Sequence, residues 1–201
     1  MGNFSNFAIT DSGRILLSDV QAGAVLIPTR IVIGSGSLPT GSTPATMTAV
    51  VTSVKELEIN KRERTPDGKA VFGGMYSNAD ITTAFYFREL ALFCRAEYRS
   101  DDGTVTRSLD EVLYAYGNAG TSADLMPAYD TNAVVEKQLD VLVWVGNDAT
   151  VDLTVESGVY VTQKQLAEAL AAIDTSITDS TTGLKYKWGI ENGVVYLEEV
   201  E

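Results

Sequence analysis

The sequence contains no histidine among its 201 residues and a single cysteine, Cys94. Without histidine there is no Ser-His-Asp triad, no Cys-His dyad and no histidine-ligated zinc site. One cysteine allows neither an internal disulfide nor a cysteine-rich metal cluster. Because Cys94 lies in the apolar run Leu90–Cys94, we expect a buried thiol rather than a reactive one. These absences disfavour an enzyme, and we expect no catalytic residue, metal or cofactor.

The chain also lacks long apolar runs, and its second half has few basic residues. No apolar run approaches the roughly 18 residues of a transmembrane helix, so we expect no membrane insertion. The net charge is −12, and residues 101–201 carry only 5 basic groups against 18 acidic ones. An acidic half repels phosphate, so we expect no nucleic-acid partner. Glu63 interrupts the basic cluster Lys61–Arg64, which we interpret as a solvated hairpin tip.

Periodic patterns in the first 60 residues predict two helices and one strand. Asp11-Ser12 is predicted to cap a short helix that ends near Gly23. A strand is predicted over Val25–Ile33, and Pro28 restricts it to a sheet edge or an irregular start. A second helix is predicted from Pro44, because apolar residues follow at helical spacing: Met47, Val50, Val51 and Val54.

Apolar runs in the middle of the chain predict antiparallel strands joined by turns. The predicted strands are Ala70–Tyr76, Phe85–Tyr98, Glu111–Tyr116, Val134–Val145 and Thr150–Val155. Two charges, Arg88 and Glu89, lie inside one of these runs. Neighbours on a strand point to opposite faces, so they do not pair with each other. We expect a structural ion pair with another residue rather than a catalytic role.

The C-terminal segment begins with the signature of a short coiled coil. Thr162 and Gln165 form a predicted capping box at the start of a helix. The apolar residues Leu166, Leu170, Ile173 and Ile177 follow with the spacing 4, 3, 4 of a coiled coil. Leucine at position a and isoleucine at position d favour more than two helices. Fewer than three heptads do not hold helices together unaided, and a helix packed on its own domain stays an alternative.

A β-hairpin is predicted after this helix, with its turn at Asn192-Gly193. Tyr186, Trp188 and Ile190 share one face of its first strand. Because an isolated hairpin is marginal in water, this face must dock, and we expect it to join the helix in oligomerisation. Alternatively, Tyr186, Trp188 and Tyr196 stack on sugar rings. A hydrolase would need two carboxylates brought together by the fold, and no motif indicates such a pair.

Five groups of segments carry a family resemblance: Asn6–Leu17, Thr29–Gly36, Thr83–Phe93, Leu113–Gly120, and Val135–Asp140 with Val145–Asn147. In this order and spacing they resemble the N-terminal domain of phage tail-collar fibre proteins, which also occurs in related contractile particles of bacteria. The resemblance covers about residues 1–165. It implies a structural protein at the distal end of a virion tail, docked to the baseplate, usually as a trimeric fibre and without catalysis.

Together these features predict an α+β protein with three parts. Residues 1–160 form a mainly antiparallel β domain with short helices, 161–178 a trimerising helix, and 179–201 a C-terminal β-hairpin. We expect a homotrimeric structural component of a phage or phage-like tail fibre or collar, with a baseplate or tail protein as partner. The alternative function is a receptor-binding module of a tail fibre that recognises a cell-surface carbohydrate.

Overall fold

A computed structural model describes residues 4, 7–130, 134–145, 150–151, 177–178, 181–182, 184–191 and 194–200. The chain divides into two compact units, Met1–Ser157 and Gly158–Glu201. The described residues form mostly antiparallel β-sheets with one short α-helix. The predicted class, a mainly antiparallel β protein with helical elements, is therefore confirmed at this coarse level.

The described part of the first unit contains one α-helix, α1 (Asp11–Gln21), and two 3₁₀ turns at Pro44–Thr46 and Gly120–Ser122. Its strands are β1 (Ala8–Ile9), β2 (Val25–Gly34), β3 (Ser53–Leu57), β4 (Lys61–Arg64), β5 (Lys69–Ser77), β6 (Phe85–Phe87), β7 (Glu89–Arg99), β8 (Val105–Ser108), β9 (Val112–Asn118), β10 (Asp124–Met126), β11 (Glu136–Trp144) and β12 (Thr150–Val151).

These strands form two principal sheets and one small one. Sheet A has the order β1-β9-β7-β2-β12, with β3 also beside β2 and β8 also beside β7. All its pairs are antiparallel except β12 with β2, which is parallel. Sheet B has the antiparallel order β11-β5-β4, and β10 pairs with β6.

The N-cap of helix α1 lies one residue before the predicted cap, Asp11-Ser12. The Thr10 hydroxyl accepts a hydrogen bond from the Gly13 amide at 2.9 Å and is the true N-cap. Leu16 and Val20 share the buried face. The helix ends before Gly23, whose φ of +109° is the left-handed conformation that glycine adopts without strain.

The hydrophobic core occupies both faces of sheet A. On one face, residues such as Ile31 and Leu92 pack with α1 and with the inward-facing residues of sheet B. On the other face, a smaller cluster is built around Val32 and Tyr116. Segment 35–52 supplies Met47 and half-buried neighbours to this smaller cluster, so a chain without strands covers the outer face of sheet A.

Pro28 does not lie on an edge strand, so the first of its two predicted settings is wrong, and the structure shows the second, an irregularity near the start of the strand. On one side, β2 pairs with β7 from Val25 to Gly34. On the other side, it pairs with β12 at Val25–Leu26 and with β3 at Ile31–Gly34. Pro28 falls between these two partners, and the register with β7 shifts between Pro28 and Arg30. A missing N–H is tolerated there because the ladder is already interrupted.

The helix predicted from Pro44 is also wrong. The structure has a 3₁₀ turn at Pro44–Thr46, and strand β3 begins at Ser53. The segment is rich in threonine and valine, whose branched Cβ lowers helix propensity. The amides of Val51 and Thr52, which a helix would use internally, instead donate to a side chain of sheet A.

That side chain is the buried carboxylate of Glu89. Its Oε1 accepts hydrogen bonds from the Val51 amide at 2.7 Å and the Tyr116 hydroxyl at 2.8 Å. Its Oε2 accepts from the amides of Gly36 at 2.6 Å and Thr52 at 3.0 Å. Four donors occupy the acceptor sites of a carboxylate, so they offset the cost of burying the charge. The predicted ion pair is wrong for Glu89, because none of the described lysines or arginines forms one with it.

Two neighbours make this hydrogen-bonded network possible. A Cβ at Gly36 would lie 2.6 Å from Oε2 of Glu89, so only glycine allows the amide to approach this closely. The Asn118 side-chain amide donates to the Gly36 carbonyl and to the Tyr116 hydroxyl, each at 3.1 Å. Burial raises the pKa of Tyr116, so its hydroxyl stays protonated and remains a donor.

The described part of the second unit is a small sheet. Its strands are β13 (Ile177–Thr178), β14 (Lys185–Glu191) and β15 (Val194–Val200), in the antiparallel order β13-β14-β15. Ile177 pairs with Tyr186. The prediction that Ile177 ends a helix is therefore wrong, and its β-branched side chain suits the strand. The predicted turn at Asn192-Gly193 lies outside the described residues.

Replacement of Glu89 tests whether its carboxylate holds segment 35–52 against sheet A through hydrogen bonds. We expect Glu89→Ala to lower the free energy of unfolding by about 4 kcal/mol, because four buried donors lose their acceptor. We expect Glu89→Gln to lower it by about 2 kcal/mol, because its NH₂ group faces two donors. Urea denaturation measures both changes.

The exposed Glu63→Gln is the matched control, with an expected change within about 0.5 kcal/mol. Hydrogen exchange should be faster at the amides of Gly36, Val51 and Thr52 in both Glu89 variants. Wild-type exchange rates at these amides in Glu89→Ala would contradict the assigned role.

Candidate functional site

An apolar groove lies beside the edge of sheet B, and we refer to it as the edge groove. It is lined by Phe4, Phe7, Phe87, Leu90 and the stretch Leu139–Leu142 of β11. The aromatic residues Phe4 and Phe87 contact each other with ring centroids 5.0 Å apart. The groove has a volume of about 270 Å³. Three separate parts of the chain therefore form one apolar surface.

The charge in this lining is neutralised locally. Asp140 is the charged member of the lining, and its Oδ2 lies 2.7 Å from Nζ of Lys61. The hydrogen bond to Asp140 raises the pKa of Lys61, so the lysine is fully charged at neutral pH. The edge groove therefore presents apolar surface with a paired charge at its rim.

The face of sheet B next to the groove is also apolar in part. On β11, Leu139, Val141 and Val143 are buried, whereas Leu142 and Trp144 are 51% and 50% exposed. Both faces of this half of the strand therefore carry apolar side chains. Exposed apolar residues that lie together, rather than singly, are typical of interaction surfaces.

A second cluster, on sheet A, is built from charged residues around Arg30. The Arg30 guanidinium forms an ion pair with Glu56, lies 2.8 Å from Oε2 of Glu111, and stacks 4.3 Å from the Phe93 ring centroid. The hydrogen bond from Arg30, with one from Thr29, holds the pKa of Glu111 below its usual value. A carboxylate with a lowered pKa is a poor proton donor at neutral pH, so this cluster has the chemistry of a structural ion-pair network.

The described residues contain no group of three or more metal-ligating side chains. Cys94 is fully buried, and burial raises the pKa of its thiol well above its ordinary value. Such a thiol is neutral and unreactive at physiological pH. The expectation of a buried cysteine is therefore confirmed.

The residues predicted to form the oligomerisation site are only partly described. Leu166, Leu170 and Ile173 lie outside the described residues, so the coiled coil stays a prediction. Tyr186, Trp188 and Ile190 lie in β14, where Trp188 pairs with Leu197 and Ile190 with Val195. Tyr186 is half-buried. The sugar-binding alternative through Trp188 and Tyr196 likewise stays a prediction.

The sequence analysis missed the edge groove. No periodicity connects its three parts, because the fold brings together residues far apart in the chain. One signal was present: the run Val141–Val145 is apolar at every position, whereas a strand with one solvated face alternates. Such a run predicts a strand with apolar surface on both sides.

The ion pair of Arg30 and Glu111 has a pH-dependent contribution. Because the folded-state pKa of Glu111 is lowered, its stabilisation is complete above its ordinary pKa of about 4.5 and is lost as pH falls through the folded-state value. We expect Glu111→Gln to lower the free energy of unfolding by about 1 kcal/mol at pH 7. We expect a smaller difference at pH 3.

Urea denaturation of both proteins across this pH range measures the effect. The exposed Glu58→Gln makes the same charge change outside this ion-pair network and is the control, with an expected change within about 0.5 kcal/mol at pH 7. A difference between wild type and Glu111→Gln that is constant from pH 7 to pH 3 would refute the linkage.

No helix in the described part of the chain is both long and apolar enough to cross a lipid bilayer. Comparison of the chain with models of protein families, with curated proteins and with solved structures finds no match. Inference about function therefore rests on the residues and geometry of this chain.

Proposed function

We propose that this protein is a non-enzymatic structural component of a phage or phage-like tail fibre or collar, located in the virion tail. Its first unit docks on a baseplate or tail protein. Its second unit joins copies of the chain, as a homotrimer. The finer architecture, a trimerising helix over 161–178 followed by a C-terminal hairpin, belongs to this proposal.

The small sheet of the second unit supports the self-association half. Its described strands β13, β14 and β15 form an antiparallel sheet in which β13 has only two residues. Burial of further apolar surface by association stabilises so small a sheet, because the association occurs only in the folded state. The coiled-coil spacing of Leu166, Leu170 and Ile173 supports association through this unit.

The family resemblance gains support from where its segments lie. They contribute α1 and long stretches of β2, β7 and β9, which are the helix and the central strands of the first unit. They also contain Gly36, Glu89 and Tyr116, three members of the network that fastens segment 35–52. Resemblance at the residues that fix a fold is a stronger sign of a shared fold than resemblance scattered over a surface.

The hydrogen bonds and ion pairs of three carboxylates in the first unit suit a structural role. Its buried carboxylate, Glu89, is occupied by amide and hydroxyl donors. The carboxylates of Glu111 and Asp140 are held by Arg30 and Lys61. Groups that are bonded in this way stabilise a folded shape.

The oligomeric state of the full chain tests the proposal. We expect light scattering at micromolar concentration to give three times the chain mass of 21.6 kDa. We expect Leu170→Asp to dissociate the assembly, because a charge at position a is buried at the helix seam.

Ala171→Asp is the matched control, since position b of the same heptad points away from the seam and receives the same charge. We expect it to leave the trimer intact. A monomeric wild-type chain would contradict the self-association half, and loss of the trimer in both variants would contradict the assigned seam.

A further inference from the structure

The two edges of sheet B differ in how they are protected. Edge strands expose unpaired backbone groups, and proteins protect them with charges and with inward-pointing charged residues. Strand β4 has both devices: Lys61, Arg62 and Arg64 are basic, and the Arg62 guanidinium donates inward to the Pro28 carbonyl at 3.3 Å. Strand β4 is therefore unsuited to adding another strand.

The opposite edge, β11, lacks this protection over its second half. Within the described part of the chain, β11 pairs only with β5. From Val141 to Trp144 its side chains are all apolar. The edge groove lies along Leu139–Leu142 of this same strand.

The shape and lining of the edge groove select its occupant. A row of backbone donors and acceptors along β11 suits an extended chain, which adds as a further strand. The volume of about 270 Å³ is just below the range of about 300–1,000 Å³ typical of small-molecule pockets. It suits the side chains of a strand, and the phenylalanines that line it suit bulky apolar ones.

The charge of the chain selects between a second copy and another protein. The first unit, residues 1–157, contains 12 basic and 20 acidic side chains and so has a net charge of −8. Two first units therefore repel each other at this surface, whatever joins the chains elsewhere. A basic segment is instead attracted to the acidic chain. Every second side chain of an added strand faces away from the groove, so apolar and basic residues are able to alternate along it.

We propose that β11 accepts an extended segment of a partner protein as an added strand, with bulky apolar side chains in the edge groove and basic side chains alternating with them. This inference rests on the docking half of the proposed function and names the surface and the kind of partner segment. It does not depend on trimerisation.

Binding of defined peptides to the full chain tests this inference. The probes are three fluorescent peptides of about nine residues, the length of β11, with lysine at even positions and valine, leucine or phenylalanine at odd positions. We expect at least one to bind with a Kd of about 1 mM or tighter. We expect slower hydrogen exchange at backbone amides of β11 in the complex. N-methylation of alternate peptide residues should abolish binding in the frame whose N–H groups face β11 and preserve it in the other frame.

Two variants of β11 locate the bound peptide. Leu142 lines the edge groove and Trp144 does not, although both are half-exposed on the same strand. We expect Leu142→Arg to weaken binding at least about tenfold, because it removes apolar contact inside the groove and places a charge there. We expect Trp144→Arg, which adds the same charge outside the groove lining, to weaken binding by less than about threefold.

Four results would overturn the inference: no binding by any probe, equal binding by the peptides N-methylated in the two frames, equal loss in both variants, or a wild-type dimer that Leu142→Arg dissociates. The last result would assign the groove to a second copy. A monomeric chain that binds the peptide would contradict trimerisation alone, whereas a trimer that does not bind it would contradict this inference alone.

Discussion

The fold of the first unit depends on one buried carboxylate. Glu89 receives two amides from the end of segment 35–52, one amide from its start and the hydroxyl of Tyr116. With these contacts, a long connection without strands becomes a fixed cover for the smaller core cluster. The central strands of sheet A are thereby buried on both faces, whereas β11 carries two exposed apolar side chains on one face, Leu142 and Trp144.

The same constraint explains where sequence reasoning succeeded and failed. Strands β5, β7, β9 and β11 follow from apolar runs between turn residues, because burial of alternating side chains is a local property. The helix predicted from Pro44 does not form because Met47 and Val50 pack in the cluster around Val32 without it. The amides that follow them donate to Glu89 instead of to helix carbonyls. Those partners are distant in sequence, and no local pattern contains them. The sequence shows that Glu89 is a charge inside an apolar run, but it does not show which groups donate hydrogen bonds to it.

The edge groove has a similar explanation. Its phenylalanines come from the N-terminus and from β6, and its floor comes from β11. The fold alone brings them together. What the sequence does contain is the contrast between the two edge strands of sheet B: one is basic and the other is apolar on both faces. The sheet order, which the sequence does not contain, is what shows that these two strands are the edges.

The position of β12 has a mechanical consequence. This strand is held beside β2 by only two residue pairs, whereas β2 and β7 share nine. Tension applied to the chain beyond Val151 acts first on the shorter ladder, which parts at a lower load than the longer one. The tension then acts on β11, which nine residue pairs hold beside β5. The short parallel ladder of β12 therefore gives way before the principal sheets are loaded.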